Sequence, residues 1–123
     1  MPGNLHHQLA QLEGAGTQVL TFQVTDPATV TSVSGPQFFT GDVTCTTRGV
    51  GRYDVAITNF RGALGVAHVI PSVVVPSTNP TQNTIFITTA PTYSGDTLSF
   101  GVGINTNTST GGAANWHCLV LGF

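Results

Sequence analysis

The side chains that could hold a metal or move a proton in this sequence are few. They are His6, His7, His68 and His117, the thiols Cys45 and Cys118, and the carboxylates Glu13, Asp26, Asp42, Asp54 and Asp96. A zinc centre needs several such ligands converging on one point. His68, His117, Cys45 and Cys118 are the set to consider. However, His117 and Cys118 adjoin within the strand-like run NWHCLVLGF, so they project to opposite faces and do not reach one ion together. His6 and His7 are adjacent, a spacing that does not share a helical face. Glycoside hydrolysis would require two of the five carboxylates to face each other across a cleft. Asp26-Pro27 and Ser94-Gly95-Asp96 are turn contexts, where aspartate caps backbone amides. The sequence holds no G-x-S-x-G elbow, phosphate-binding loop or H-E-x-x-H pair. These residues predict a non-enzymatic chain without catalytic residues, metal or cofactor.

The basic residues are the next candidates. There is no lysine, and the three arginines, Arg48, Arg52 and Arg61, all fall in RGVGRYDVAITNFRG. Arg48-Gly49-Val50-Gly51-Arg52 joins two strand-like runs, with glycines where a hairpin needs positive φ. Arg61-Gly62 occupies the following turn. Asp54 shares a face with Arg52, and Asp42 lies near Arg48 if the hairpin closes. Two readings stay open. The arginines pair with these aspartates and with backbone carbonyls, or they sit in a subunit or receptor contact, where the planar guanidinium fork is favoured over lysine.

The elements that position these groups follow from composition and alternation. Charged residues make up only 7% of the 123-residue chain, against about 25% in ordinary soluble domains. Fifteen glycines, seven prolines and twenty threonines take their place, a vocabulary of strands and tight turns. The length suits one domain with a core. The net charge of −2 offers no clustered cations for nucleic acid. No window approaches the apolar length of a membrane span, and the first residues lack a secretory pattern, so synthesis in the cytoplasm is expected. In that setting Cys45 and Cys118 read as reduced and buried, with a disulfide the alternative if the mature particle is extracellular.

Residues 1–16 form a separate arm. Leu5, Leu9 and Leu12 have helical spacing and are followed by Gly14 and Gly16. Such a segment is too short for a stable isolated helix. It is either a frayed tail or an arm that orders on a partner through its leucines. Residues 17–123 read as seven or eight strands: TQVLTFQVT, ATVTSVSG, DVTCTTRG, VGRYDVAIT, ALGVAHVIPSVVVP, NTIFITTA, DTLSFGVGI and NWHCLVLGF. In the fourth, Tyr53, Val55 and Ile57 face one way and Arg52, Asp54, Ala56 and Thr58 the other. Pro71 implies a bulge or an edge position for its strand. The expected fold is all-β, an antiparallel, jelly-roll-like β-sandwich.

The last strand is apolar on both faces. Trp116, Cys118 and Val120 stand on one, and His117, Leu119, Leu121 and Phe123 on the other. Antiparallel sandwich strands usually leave one face wet. A central strand whose outer face, Leu119, Leu121 and Phe123, meets another subunit accounts for this. Cover by a loop of the same chain is the alternative.

The segment TRGVGRYDVAITNF, through Thr47, Arg48, Gly49, Gly51, Tyr53, Val55 and Ile57, resembles a hairpin of small β-domains in bacteriophage virion proteins. The C-terminal Leu121-Gly122-Phe123 is similar to the aromatic end of such domains. The resemblance covers about residues 42–62 and the last nine, and it implies a trimeric, charge-poor protein located on the virion. With a short arm and no long shaft, it implies a capsid decoration or cement protein, a homotrimer seated on the major capsid protein, without nucleic acid or membrane as partner. The alternative is a fibre or knob module binding a host glycan or surface protein. A cellular adhesin or lectin domain is a further one. Trp116, Tyr53 and Tyr93 could stack on sugars if exposed, although Trp116 belongs to an apolar strand and reads as core.

Overall fold

Strands form along most of the described chain because threonine and β-branched residues alternate with large apolar ones. The computed structural model describes residues 16–25, 28–35, 38, 40–49, 51–74, 84–105 and 115–123. In chain order the elements are β1 (Gln18–Thr25), β2 (Thr29–Ser34), a 3₁₀ turn (Thr40–Asp42), β3 (Val43–Gly49), β4 (Arg52–Ile57), β5 (Ala67–Val73), β6 (Thr84–Ser94), β7 (Thr97–Asn105) and β8 (Trp116–Gly122). They build two four-stranded sheets, ordered β2-β1-β8-β5 and β3-β4-β7-β6. Every neighbouring pair is antiparallel. The fold is the all-β sandwich expected from the sequence. The pairings of β1 with β8 and of β4 with β7 join strands distant in sequence.

The core comes from one set of alternate residues on each sheet. Leu20, Phe22 and Val24 of β1 join Trp116, Cys118 and Val120 of β8. They meet Tyr53, Val55 and Ile57 of β4 and Leu98, Phe100, Val102 and Ile104 of β7, all buried. Trp116 lies between the layers, with its ring centroid 5.8 Å from Phe22 and 5.5 Å from Tyr53. Trp116 and Tyr53 are therefore core side chains, closed to a sugar. Aromatic pairs in such tilted or edge-on arrangements add about 0.5–1.5 kcal/mol beyond their buried area.

Turn chemistry follows the glycines. Gly51, at φ +71°, takes the left-handed conformation that turns β3 into β4. Gly62 is needed for another reason. A Cβ there would lie 2.7 Å from the carbonyl oxygens of both Gly16 and Gly122, where the loop after β4 passes between β1 and the end of β8. Pro71 sits in β5, an edge strand, so its missing amide breaks no ladder. Beyond Ala90, β6 continues to Ser94 through Pro91. It too is an edge strand, which is why proline did not end it.

Candidate functional site

β8 is the second strand from the β5 edge of its sheet, flanked by β1 and β5, and its register defines the outer surface there. Val19, Leu121 and His68 form one cross-strand row, Thr21, Leu119 and Ile70 the next, and Gln23, His117 and Ser72 a third. Because Leu20, Phe22, Trp116, Cys118 and Val120 point inward, this row set points out. A shallow depression of about 270 Å³ opens between the strands, lined by Thr21, Gln23, Ser32, Ile70, His117 and Leu119 among others.

The apolar part of the face extends past the end of β8. The backbone of Phe123 donates to Val66 O at 2.7 Å and accepts from the amides of Leu64 and Val66 at 3.0 and 3.2 Å. These bonds bring the 63–66 loop beside Phe123, whose ring meets His68 edge-on at 5.5 Å. Leu64 is 78% exposed, Ile70 53%, Val66 47% and Val74 38%. Leu119, Leu121 and Phe123 are half-buried and His117 is exposed. The described chain therefore leaves Leu64, Val66, Ile70 and Val74 exposed and covers Leu119, Leu121 and Phe123 only in part. The structure brings Leu119, Leu121 and Phe123 together as one strand face. Leu64, Val66, Ile70 and Val74 were missed by sequence reasoning, although the alternation AHVIPSV already turned Ile70 away from the core.

The arginines each find partners within the chain. Arg48 makes a forked contact with Asp54, Nη2 to Oδ1 at 2.9 Å and Nε to Oδ2 at 3.1 Å, with both side chains partly in solvent. The Arg48 partner is thus Asp54, and not Asp42 as the closed hairpin suggested. Asp42 precedes β3 opposite Thr58, whose hydroxyl lies 3.4 Å from Asp42 Oδ1. Arg52 donates to the carbonyls of Gly51 and Ile104 and to Asn105 Oδ1, at 3.0, 3.1 and 3.0 Å. Its guanidinium also covers the Phe86 ring at 5.3 Å. Arg61 donates to Gly95 O at 2.8 Å and lies over Tyr93 at 5.1 Å. Burial raises the Tyr93 phenol, and the Arg61 charge opposes this. Aspartate and carbonyl pairing within the chain is thus present. Arg48 and Arg61 stay exposed, and Arg52 is partly buried.

The thiols lie on different sheets, Cys45 on β3 and Cys118 on β8, and both are free. Burial pushes Cys118 up to about 12, against a smaller opposing effect of the Ile70 backbone. Cys45 is also raised to about 12, first by burial and then by the Asp54 charge. Neither is an activated nucleophile. His117 is exposed while Cys118 is buried, the opposite placement expected of neighbours in a strand. Among the described residues no group of three or more His, Cys, Asp or Glu is placed to hold a metal ion. Among them, too, no helix is long and apolar enough to cross a membrane. The arm leucines Leu5, Leu9 and Leu12, with His6, His7, Glu13 and Asp26, lie outside the described residues. A scan of protein-family models, a search of curated proteins and a search of solved structures each found no match.

Proposed function

We propose that the protein is a non-enzymatic structural component of a phage particle, a homotrimer that decorates the capsid and bridges neighbouring coat subunits. The observation that carries this reading is the apolar outer face of β8 and β5, with Ile70 exposed beside Leu119, Leu121 and Phe123, in a chain with almost no surface charge to keep copies apart. Packing that face around a threefold axis would remove several large side chains from water, each worth roughly 1.5–3 kcal/mol when fully buried. Closed symmetry would then limit growth. The bridge acts mechanically: extra contacts between coat subunits must break before the shell expands.

Imaging of intact particles tests the location. Density for this chain at regular lattice points across the shell supports decoration. Density confined to a tail or vertex overturns it in favour of a receptor-binding module.

A further inference from the structure

The four sheet edges are unequally protected. β5 carries Pro71, β6 carries Pro91 and two register shifts, and β2 meets β1 through a bulge, with Ser32 at φ +53°. Prolines and bulges are the devices that stop an edge from pairing with another chain. Among the described edges β3 has the longest stretch with neither, from Val43 to Thr47, where its ladder with β4 runs unbroken ahead of a register shift at Thr47/Gly49. Thr44, Thr46 and Thr47 along it are exposed.

Thr58 N donates to Asp42 O at 2.9 Å, and the two stand opposite each other in the continuation of the β3–β4 register. Antiparallel ladders alternate, so the pairs Thr44–Ala56 and Thr46–Asp54 also bond to each other. The amides and carbonyls of Val43, Cys45 and Thr47 therefore point to the open edge.

We infer that β3 is a self-association edge, which pairs antiparallel with β3 of a second copy about a twofold axis centred on Cys45. That register sets Val43 opposite the second copy's Thr47, Thr44 opposite its Thr46 and Cys45 opposite its Cys45. All three outward-pointing residues then find bonding partners. Beyond the paired stretch, it brings Arg48, at the register shift, to the same end as the second copy's Asp42, at the close of the 3₁₀ turn, so opposite charges lie near each other at both ends. Cross-strand Thr–Thr and opposite-charge pairs are the favourable ones in sheets. The occupant is thus another copy of this chain, matched to the edge in polarity, β-branching and charge. The contact is independent of the β8 face. Where both exist, twofold contacts would link trimers into a network, as bridging across a shell requires.

Sedimentation of the full chain and four variants separates the two contacts. Thr44→Lys combined with Thr46→Lys sets lysines opposite lysines across the twofold and leaves the core untouched. It should remove the β3 contact and leave trimers. Leu121→Asp should leave β3-linked dimers, and the combination monomers. Thr47→Pro removes an outward amide that makes no bond in its own sheet, and should likewise release the β3 contact with native circular dichroism. Wild-type sedimentation retained by both the double-lysine variant and Thr47→Pro overturns the proposal. If both variants assemble normally in solution but fail to bind the particle, the edge belongs to an extended segment of another protein, and the second-copy assignment is equally overturned. Assembly unchanged by Leu121→Asp alone would count against the β8 face and not against β3.

Discussion

The outer face of the β2-β1-β8-β5 sheet carries Val19, Ile70, Leu119 and Leu121, with Phe123 and Leu64 beyond its end. The outer face of the β3-β4-β7-β6 sheet carries Thr44, Thr46, Thr89, Thr92 and Ser99, with the Arg48–Asp54 pair. Both arise from the same alternation of strand residues, yet they end differently. On the second sheet the chain completes its own surface. Gly101 and Gly103 of β7 leave gaps that Thr88, Thr89 and Phe86 of β6 fill, and Arg52 reaches across from β4 to cover Phe86. An aromatic ring over a cross-strand glycine is a known way to restore packing that glycine loses. On the first sheet nothing described covers Ile70 or Leu64. Threonine hydroxyls satisfy water without charge, whereas exposed leucine and isoleucine do not. The contrast supports a solvent face on one side and a contact face on the other.

The largest expected effect breaks that contrast directly. Leu121→Asp puts an unpaired carboxylate in the centre of the apolar face, at a cost of several kcal/mol if it is buried by a neighbour. Trimers should be abolished, while circular dichroism stays native because the side chain points away from the core. Sedimentation decides it. A wild-type chain that runs as a monomer at micromolar concentration sinks the contact-face reading.

A second test asks whether the other face is finished as described. A Cβ at Gly103 would lie 2.8 Å from the Phe86 ring and from Thr88 Cγ2. Gly103→Ala should therefore force the ring and Arg52 aside and destabilise the fold by about 1–3 kcal/mol, without changing the oligomer. A melting temperature equal to wild type would show that Phe86 does not pack there. The pair of results matters: assembly without stability on one face, stability without assembly on the other.

The thiols compare how well the two sheets are sealed from water. An ordinary thiol at 9.0 ionises first in the unfolded chain, whereas both thiols in the fold resist to about 12. Below 9 neither state is ionised and stability does not depend on these groups. Between 9 and 12 the unfolded state loses protons that the folded state keeps, so stability falls as pH rises. For Cys118, almost fully buried, the slope approaches about 1.4 kcal/mol per pH unit. Cys45 is half-buried, and solvent screening makes its share smaller. Denaturant titrations from pH 8 to 11 should show the decline, and Cys118→Ala should flatten it more than Cys45→Ala. An equal effect of the two would mean that β3 is sealed as tightly as β8.

Much of this was legible in the chain. Alternation located all eight strands, and it divided Tyr53, Val55 and Ile57 from Arg52, Asp54 and Ala56 correctly, because a strand's period is fixed by backbone geometry. The apolar second face of the last strand stood out for the same reason. What could not be read was which partners lie across a sheet. Arg48 reaches Asp54 because the β3–β4 register places Thr46 opposite Asp54, a fact of pairing that local spacing does not contain. Likewise Leu64 and Val66 join the apolar face only because Phe123, distant in sequence, hydrogen-bonds to their loop. The meeting of Arg52 with Phe86 over Gly103 depends on three strands at once.

The smallest effect should come from the most conspicuous ion pair. Arg48 and Asp54 form a forked contact at 2.9 and 3.1 Å, but their side chains are 64% and 42% exposed. Water and salt screen such a pair, and ordering two side chains costs entropy, so exposed pairs contribute about 0.2–1 kcal/mol. Arg48→Ala should lower stability by no more than that, with a difference that shrinks further in molar salt. Arg52→Ala, by contrast, removes three hydrogen bonds and uncovers Phe86, and should cost more and respond less to salt. Measuring both variants by denaturant unfolding at low and high salt ranks the two arginines. If Arg48 proved the costlier loss for the isolated chain, the threonine face would owe its order to charge and not to the packing of Phe86 over β7.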